Sequence, residues 1–137
     1  MRRFLLLAIP LLVLTMALFH FVQEMAGTAP DAVRLARGAG ITLPGWVMLG
    51  TWCLEAMGLT ALFLLIYRRE SPEGRGGWLA GILTGWIAWV FRGPLLVVAA
   101  VGLGGLPAGP WWSLAFSWWI LYTVCGVVLA GLSGLLP

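Results

Sequence analysis

Four long apolar runs, at residues 4–22, 45–67, 78–103 and 111–135, decide what this chain can fold into. Each is close to the ~17–25 residues that a helix needs to cross a ~30 Å hydrocarbon core. A backbone in lipid has no water to bond, so runs of this kind fold as helices that satisfy their own amides and carbonyls. What lies between the runs is too short for a second domain. Of 137 residues, 61% are hydrophobic and 9% charged, against roughly 25% charged in a soluble domain. The sequence therefore predicts an all-α integral membrane protein, a single four-transmembrane-helix bundle over residues 1–137 with no soluble part.

The first run has a basic start, "MRRFLLLAIP", that resembles a signal peptide. No small-x-small cleavage pattern follows it, and it is expected to be the first span. All eight basic side chains are arginine. Arg2 and Arg3 precede span one, and Arg68, Arg69 and Arg75 separate spans two and three. Only Arg34 and Arg37 lie between spans one and two, and none lies between three and four. The positive-inside rule then places both termini in the cytoplasm, and an even number of spans agrees. The expected location is the bacterial cytoplasmic (inner) membrane, multi-pass. A net charge of +3, spread beside the spans rather than gathered in a patch, gives no support for nucleic-acid binding. By helical rise Cys53 lies about 12 Å and Cys125 about 21 Å below the outer boundary, so no disulfide is expected between them.

The connector "QEMAGTAPDAVRLARGAGITLP" (residues 23–44) carries Thr28 and Asp31 in capping-box-like spacing, Pro30 in the first turn and Gly38 as a stop. Asp31, Arg34 and Arg37 form a polar stripe opposite Val33 and Leu35, which predicts a short interfacial helix between spans one and two. "RRESPEGRGG" and "GLGGLPAGP" read as tight turns, making spans two and three, and three and four, antiparallel neighbours. Trp46, Trp111 and Trp112 mark one boundary, and Trp78 with Tyr67 the other, as in an aromatic belt. Trp52, Trp86, Trp89, Trp118 and Trp119 lie deeper. They serve packing, or a stacking surface for a flat ligand such as a quinone or pigment.

Two helix-packing surfaces stand out. Gly77, Gly81 and Gly85 recur at four-residue intervals on span three, and Gly126, Ala130 and Gly134 do so on span four. Small residues at this spacing line one helix face and admit another backbone closely.

Glu55 and Arg92 are ionisable residues well inside the spans, where a charge costs ~2.5–3.5 kcal/mol on insertion scales. Helical rise puts Glu55 about 15 Å below Gly45, and Arg92 about 16–17 Å below Leu103 at the same side. Matched depth on antiparallel neighbours predicts an intramembrane ion pair, with Thr51, one turn from Glu55, as a further hydrogen-bonding group. Pro94 frees the carbonyl of Val90, and Gly93 eases a bend, so exposed carbonyls offer the guanidinium more acceptors. Two roles stay open: a bridge that fixes helix register, or a proton, ion or ligand site. His20, with Gln23 and Glu24 one turn on, is expected as an interfacial polar group. As a lone axial ligand to haem iron or chlorophyll magnesium it has no second partner in the chain. No other cofactor and no metal site is expected.

"WCLEAMGLTAL" (52–62) resembles locally the glutamate-bearing span of the small multidrug resistance transporters, which are also four-span proteins of similar length. In that family the glutamate lies in the first span; here Glu55 is in the second, and the likeness ends with this stretch. No nucleophile–base pair, phosphate loop or cluster of metal ligands is present, so no catalytic residue and no enzyme activity is expected. The sequence points first to a non-catalytic accessory or assembly subunit of a larger membrane complex, respiratory or photosynthetic, whose partners are lipid and other membrane subunits or its own copies. The alternative is a small oligomeric transporter or channel built on Glu55 and Arg92.

Overall fold

The computed structural model describes residues 1–40, 44–70, 76–105 and 107–136. The described residues form helices α1 (Arg2–Met25), α2 (Asp31–Gly38), α3 (Gly45–Glu70), α4 (Gly76–Arg92), α5 (Pro94–Gly102) and α6 (Ala108–Leu132), then a single 3₁₀ turn, Ser133–Leu135, with no strand among them. Four helical segments are long and apolar enough to cross a membrane: α1, α3, the α4–α5 pair, and α6 with its 3₁₀ turn. The polar turn at 71–75, Arg75 included, lies outside the described residues, as does position 106 in the second turn.

The helices close a ring in chain order, α1 against α3, α3 against α4, α4 against α6, and α6 back against α1. Both termini lie at one end, where the 3₁₀ turn meets α1. The short α2 lies at the other end and packs on α6. Phe4, Ala8, Leu12 and Met16 are the buried residues of α1, spaced at four so that one stripe enters the core. They meet Ala56, Leu59 and Phe63 of α3 and Leu121, Cys125 and Leu129 of α6 in one cluster. Phe4 stacks on Phe63, and Phe63 on Tyr67, each at 5.7 Å between ring centroids. The buried Thr60 and Thr84 hydroxyls donate to the carbonyls of Ala56 and Ala80, so neither is left unsatisfied in this apolar interior. Both cysteines are free.

The α4–α6 seam is the most extensive contact, and glycine is its cause. A Cβ on Gly81 would fall within 3.0 Å of the Gly126 carbonyl oxygen, and one on Gly126 equally close to that of Gly81. Gly85 faces the Tyr122 carbonyl, and Gly77 faces Ser133. Ala130 borders Gly81. Gly134 is the exception among the six expected packing residues, with nothing within 4 Å of its missing Cβ. The α-helix ends at Leu132 and tightens into the 3₁₀ turn, so the four-residue register is lost and Ser133 takes the place expected for Gly134.

The third span is not one helix. Pro94 has no N–H to give the Val90 carbonyl, and Gly93, at φ −90 and ψ −90, separates α4 from α5. Gly93 still donates to Trp89 O at 2.7 Å. Beyond this break α5 packs on α4 and α6 and makes no substantial contact with α3. Arg92 stands at the hinge between the two directions.

The entry to α2 also differs from expectation. Its N-cap is Pro30, with no side-chain cap. Thr28 turns back instead, its amide donating to Gln23 O at 2.9 Å and its hydroxyl to the same oxygen at 3.5 Å. The last carbonyls of α1 have no helical donors, and Gly27, at φ +65, reverses the chain so that Thr28 reaches one.

Candidate functional site: a polar cavity beneath the short helix

Three helices bring polar groups together at mid-length. Arg92 Nε, at the end of α4, lies 3.4 Å from Glu55 Oε1 on α3. The Tyr122 hydroxyl of α6 donates to the same Glu55 oxygen. The guanidinium carbon sits 5.0 Å from the centroid of the Trp118 ring, a cation–π distance. The Glu55 side chain is 14% exposed and that of Arg92 is 47% exposed. The carboxylate is thus enclosed while part of the guanidinium faces outward. Among the described residues the Arg92 terminal nitrogens have no hydrogen-bond partner, backbone carbonyls included.

Thr51 does not join this group. It is exposed, and its hydroxyl donates to Met48 O at 2.7 Å. A threonine in a helix readily bonds the carbonyl one turn back, and that local bond wins over reaching Glu55. Tyr122 takes the role expected of Thr51. Nothing in the sequence marked it, since a tyrosine in an apolar helix reads as core packing.

A cavity of about 100 Å³ extends from the pair toward the α2 end. His20, Gln23 and Glu24, spaced three and four apart on α1, share the face that lines it. The His20 and Glu24 side chains stay about a third exposed, 34% and 31%. Gln23 Nε2 donates to Ser117 Oγ at 2.6 Å, tying α1 to α6. The His20 ring meets Trp52 edge-on at 6.0 Å, and its Nε2 lies 4.0 Å from Glu24. Trp52 and Trp118 form two of the walls. The roof is the chain entering α2, with Ala29 and Pro30 buried and Val33 half-buried beneath it.

Arg37 holds that roof in place. Its two terminal nitrogens donate to the two Glu24 oxygens at 2.6 and 2.7 Å, a bidentate fork between α2 and α1. The hydrogen bond to Glu24, then the carboxylate charge, raise the Arg37 pKa above its ordinary value. Arg34 pairs with Asp31 within α2.

Two lateral grooves adjoin the cavity. One, of about 380 Å³, lies beside Phe91, Arg92, Leu96 and Trp118. The other, of about 690 Å³, runs between α1 and α6 along Phe19, Val22, Phe116 and Ile120. Gln23 and Ser117, bonded to each other, line both this second groove and the cavity, so they form the partition between the two. At about 100 Å³ the cavity is below the ~150 Å³ that admits benzene and has room for a few waters. It does not hold a haem or chlorophyll macrocycle beside His20. No group of three metal-binding side chains occurs among the described residues.

Comparison with protein-family models, with curated proteins and with solved structures found no match for this chain.

Proposed function

We propose that the chain is a non-catalytic accessory or assembly subunit of a larger membrane complex, held in a bacterial cytoplasmic membrane with both termini on the cytoplasmic side. Arg92 carries this reading. It sits near the middle of a span, is paired on one side with Glu55, and leaves 47% of its side chain exposed beside a lateral groove lined by Phe91, Leu96 and Trp118. A charged side chain facing lipid at that depth costs ~2.5–3.5 kcal/mol on insertion scales. A neighbouring helix that lays an acceptor over Phe91 and Leu96 removes that cost, and lateral association follows from it.

The charge pattern supports the orientation. Arg34 and Arg37 at the α2 end are each paired with an acid, whereas Arg2, Arg3, Arg68 and Arg69 are exposed at the termini end. Basic residues in excess at that end suit the cytoplasmic face.

A small oligomeric transporter is the second reading, favoured by the cavity that reaches Glu55 and Arg92. Against it, Leu12, Phe63 and Leu129 fill the core of the bundle, and Phe4 is buried with them. The described residues offer no polar path toward the termini end, so the subunit reading is preferred.

A photo-crosslinking residue placed at Leu96, beside Arg92, in native membranes tests the proposal. It is expected to give one discrete adduct with a second membrane protein, while the same group at Leu14, exposed on α1, gives none. Equal, diffuse labelling from both positions would rule it out.

A further inference from the structure

A hydroxyl on a membrane helix finds its nearest acceptor in the carbonyl one turn back. Thr15, Thr51, Thr60, Thr84 and Thr123 all donate there. Ser113 and Ser117 of α6 do not. Ser117 accepts from Gln23 Nε2 and Ser113 from the Asp31 amide at 3.5 Å, and among the described residues neither hydroxyl proton has an acceptor. Ser117 is only 9% exposed, so its proton is a buried donor without a partner. The two serines stand one turn apart on the wall of the α1–α6 groove of about 690 Å³. The α6 span, Ala108–Leu135, has 28 residues and is about 42 Å long, matching the ~40–45 Å of a bilayer with its headgroup layers. A ~30 Å hydrocarbon core centred on it begins near Trp111 and Trp112, which puts Ser113 at the edge and Ser117 about 6 Å further in. Below them the groove is apolar, along Phe19, Phe116 and Ile120, the last about 10 Å deeper than Ser113. Among the described residues no charged side chain lines it.

Two unused donors at the edge of the core, above an apolar channel and away from charge, match the acyl esters of a membrane lipid. Ester carbonyls are neutral acceptors, and the bilayer holds them at this depth with their chains running inward. We propose that the α1–α6 groove binds a glycerolipid of the leaflet on the α2 side. Its ester carbonyls accept from Ser113 and Ser117, and one acyl chain runs down over Phe116 and Ile120. The headgroup stays in the interfacial layer beside α2, where Arg34 and Arg37 are already paired with Asp31 and Glu24, so its charge does not decide binding. The site uses neither Arg92 nor the groove beside it. It shares with the subunit reading only the placement in a membrane, and either can fail without the other.

The test uses the full chain in dodecylmaltoside micelles, with native mass spectrometry counting bound lipid as dioleoyl phosphatidylcholine is titrated. Saturable binding of one lipid per chain is expected. The dioleyl diether analogue has the same chains and headgroup but no carbonyl. It should bind roughly five- to tenfold more weakly, the worth of two hydrogen bonds in a membrane. Ser113→Ala should reduce this ester preference roughly threefold, and adding Ser117→Ala should abolish it. Ser113 bonds only the Asp31 amide, so its variant tests the site even where loss of Ser117, the partner of Gln23, impairs folding. Ile120→Trp fills the apolar end of the groove and should weaken both lipids alike. The absence of saturable binding, or equal binding of ester and ether lipids by the wild type, would overturn the proposal. So would an undiminished ester preference in a folded Ser113→Ala protein, or unchanged binding in Ile120→Trp.

Discussion

Tyr122→Phe removes one oxygen from beside the Glu55 carboxylate and leaves the ring in place. Tyr122 is 2% exposed, and its hydroxyl donates to the Glu55 oxygen that also faces Arg92. Neutral interhelical hydrogen bonds in membranes average ~0.6 kcal/mol, with a maximum near ~1.7. An ionised acceptor roughly doubles the strength of such a bond. The substitution should therefore cost about 1–2 kcal/mol, a factor of roughly 5–30 in the ratio of folded to unfolded protein. Glu55→Ala removes the acceptor and leaves Arg92 unpaired, so it should cost more than Tyr122→Phe. Once Glu55 is gone, the hydroxyl has lost its partner and its removal should cost little. Equilibrium unfolding in mixed micelles of the wild type, both single variants and the double variant closes the cycle. The coupling energy should be about 1 kcal/mol or more, well beyond the ~0.3–0.5 kcal/mol scatter of independent sites. A Tyr122→Phe protein as stable as wild type, or a coupling within that scatter, would refute the shared-carboxylate geometry.

Three further outcomes follow from the same contacts. Arg92→Ala strands Glu55 and should sharply reduce accumulation of folded protein; adding Glu55→Gln should recover part of the loss, read by detergent-solubilised yield and unfolding midpoint. Gly81→Ala forces a methyl against the Gly126 carbonyl and should cost about 1–3 kcal/mol, as overpacking does. The same change at Gly131, which has open space around it, should be neutral or should gain up to ~1 kcal/mol of helix propensity, measured by the same unfolding assay. Arg37→Ala releases the fork on Glu24, so amide hydrogen exchange at Val33 and Leu35 should quicken while exchange in α3 and α6 stays unchanged.

Hydropathy made the four long helices legible, because apolar length alone dictates them. Helical rise also made the pairing of Glu55 with Arg92 legible, since two charges at one depth on adjacent spans leave few alternatives. The remainder depended on rotation and on side-chain reach, which a depth calculation does not carry. Thr51 lies one turn from Glu55, yet its hydroxyl is taken by its own helix. Tyr122 looked apolar in context and supplies the missing donor. His20, Gln23 and Glu24 close the first run, and the turn at Gly27 brings α2 over a cavity that they line, which their spacing alone does not reveal. Gly134 kept the right spacing in the sequence and lost it where the helix tightens past Leu132.

Lateral association is the central claim, and native extraction tests it most directly. Membranes that express the chain at its natural level would be dissolved in a mild detergent. The mass of the particle that contains it and the identity and stoichiometry of its companions would then be measured. A particle holding this chain at fixed stoichiometry with other membrane proteins, broken down by Leu96→Arg beside Arg92, is the predicted result. A monomer, or a homo-oligomer with no companion, would contradict the account.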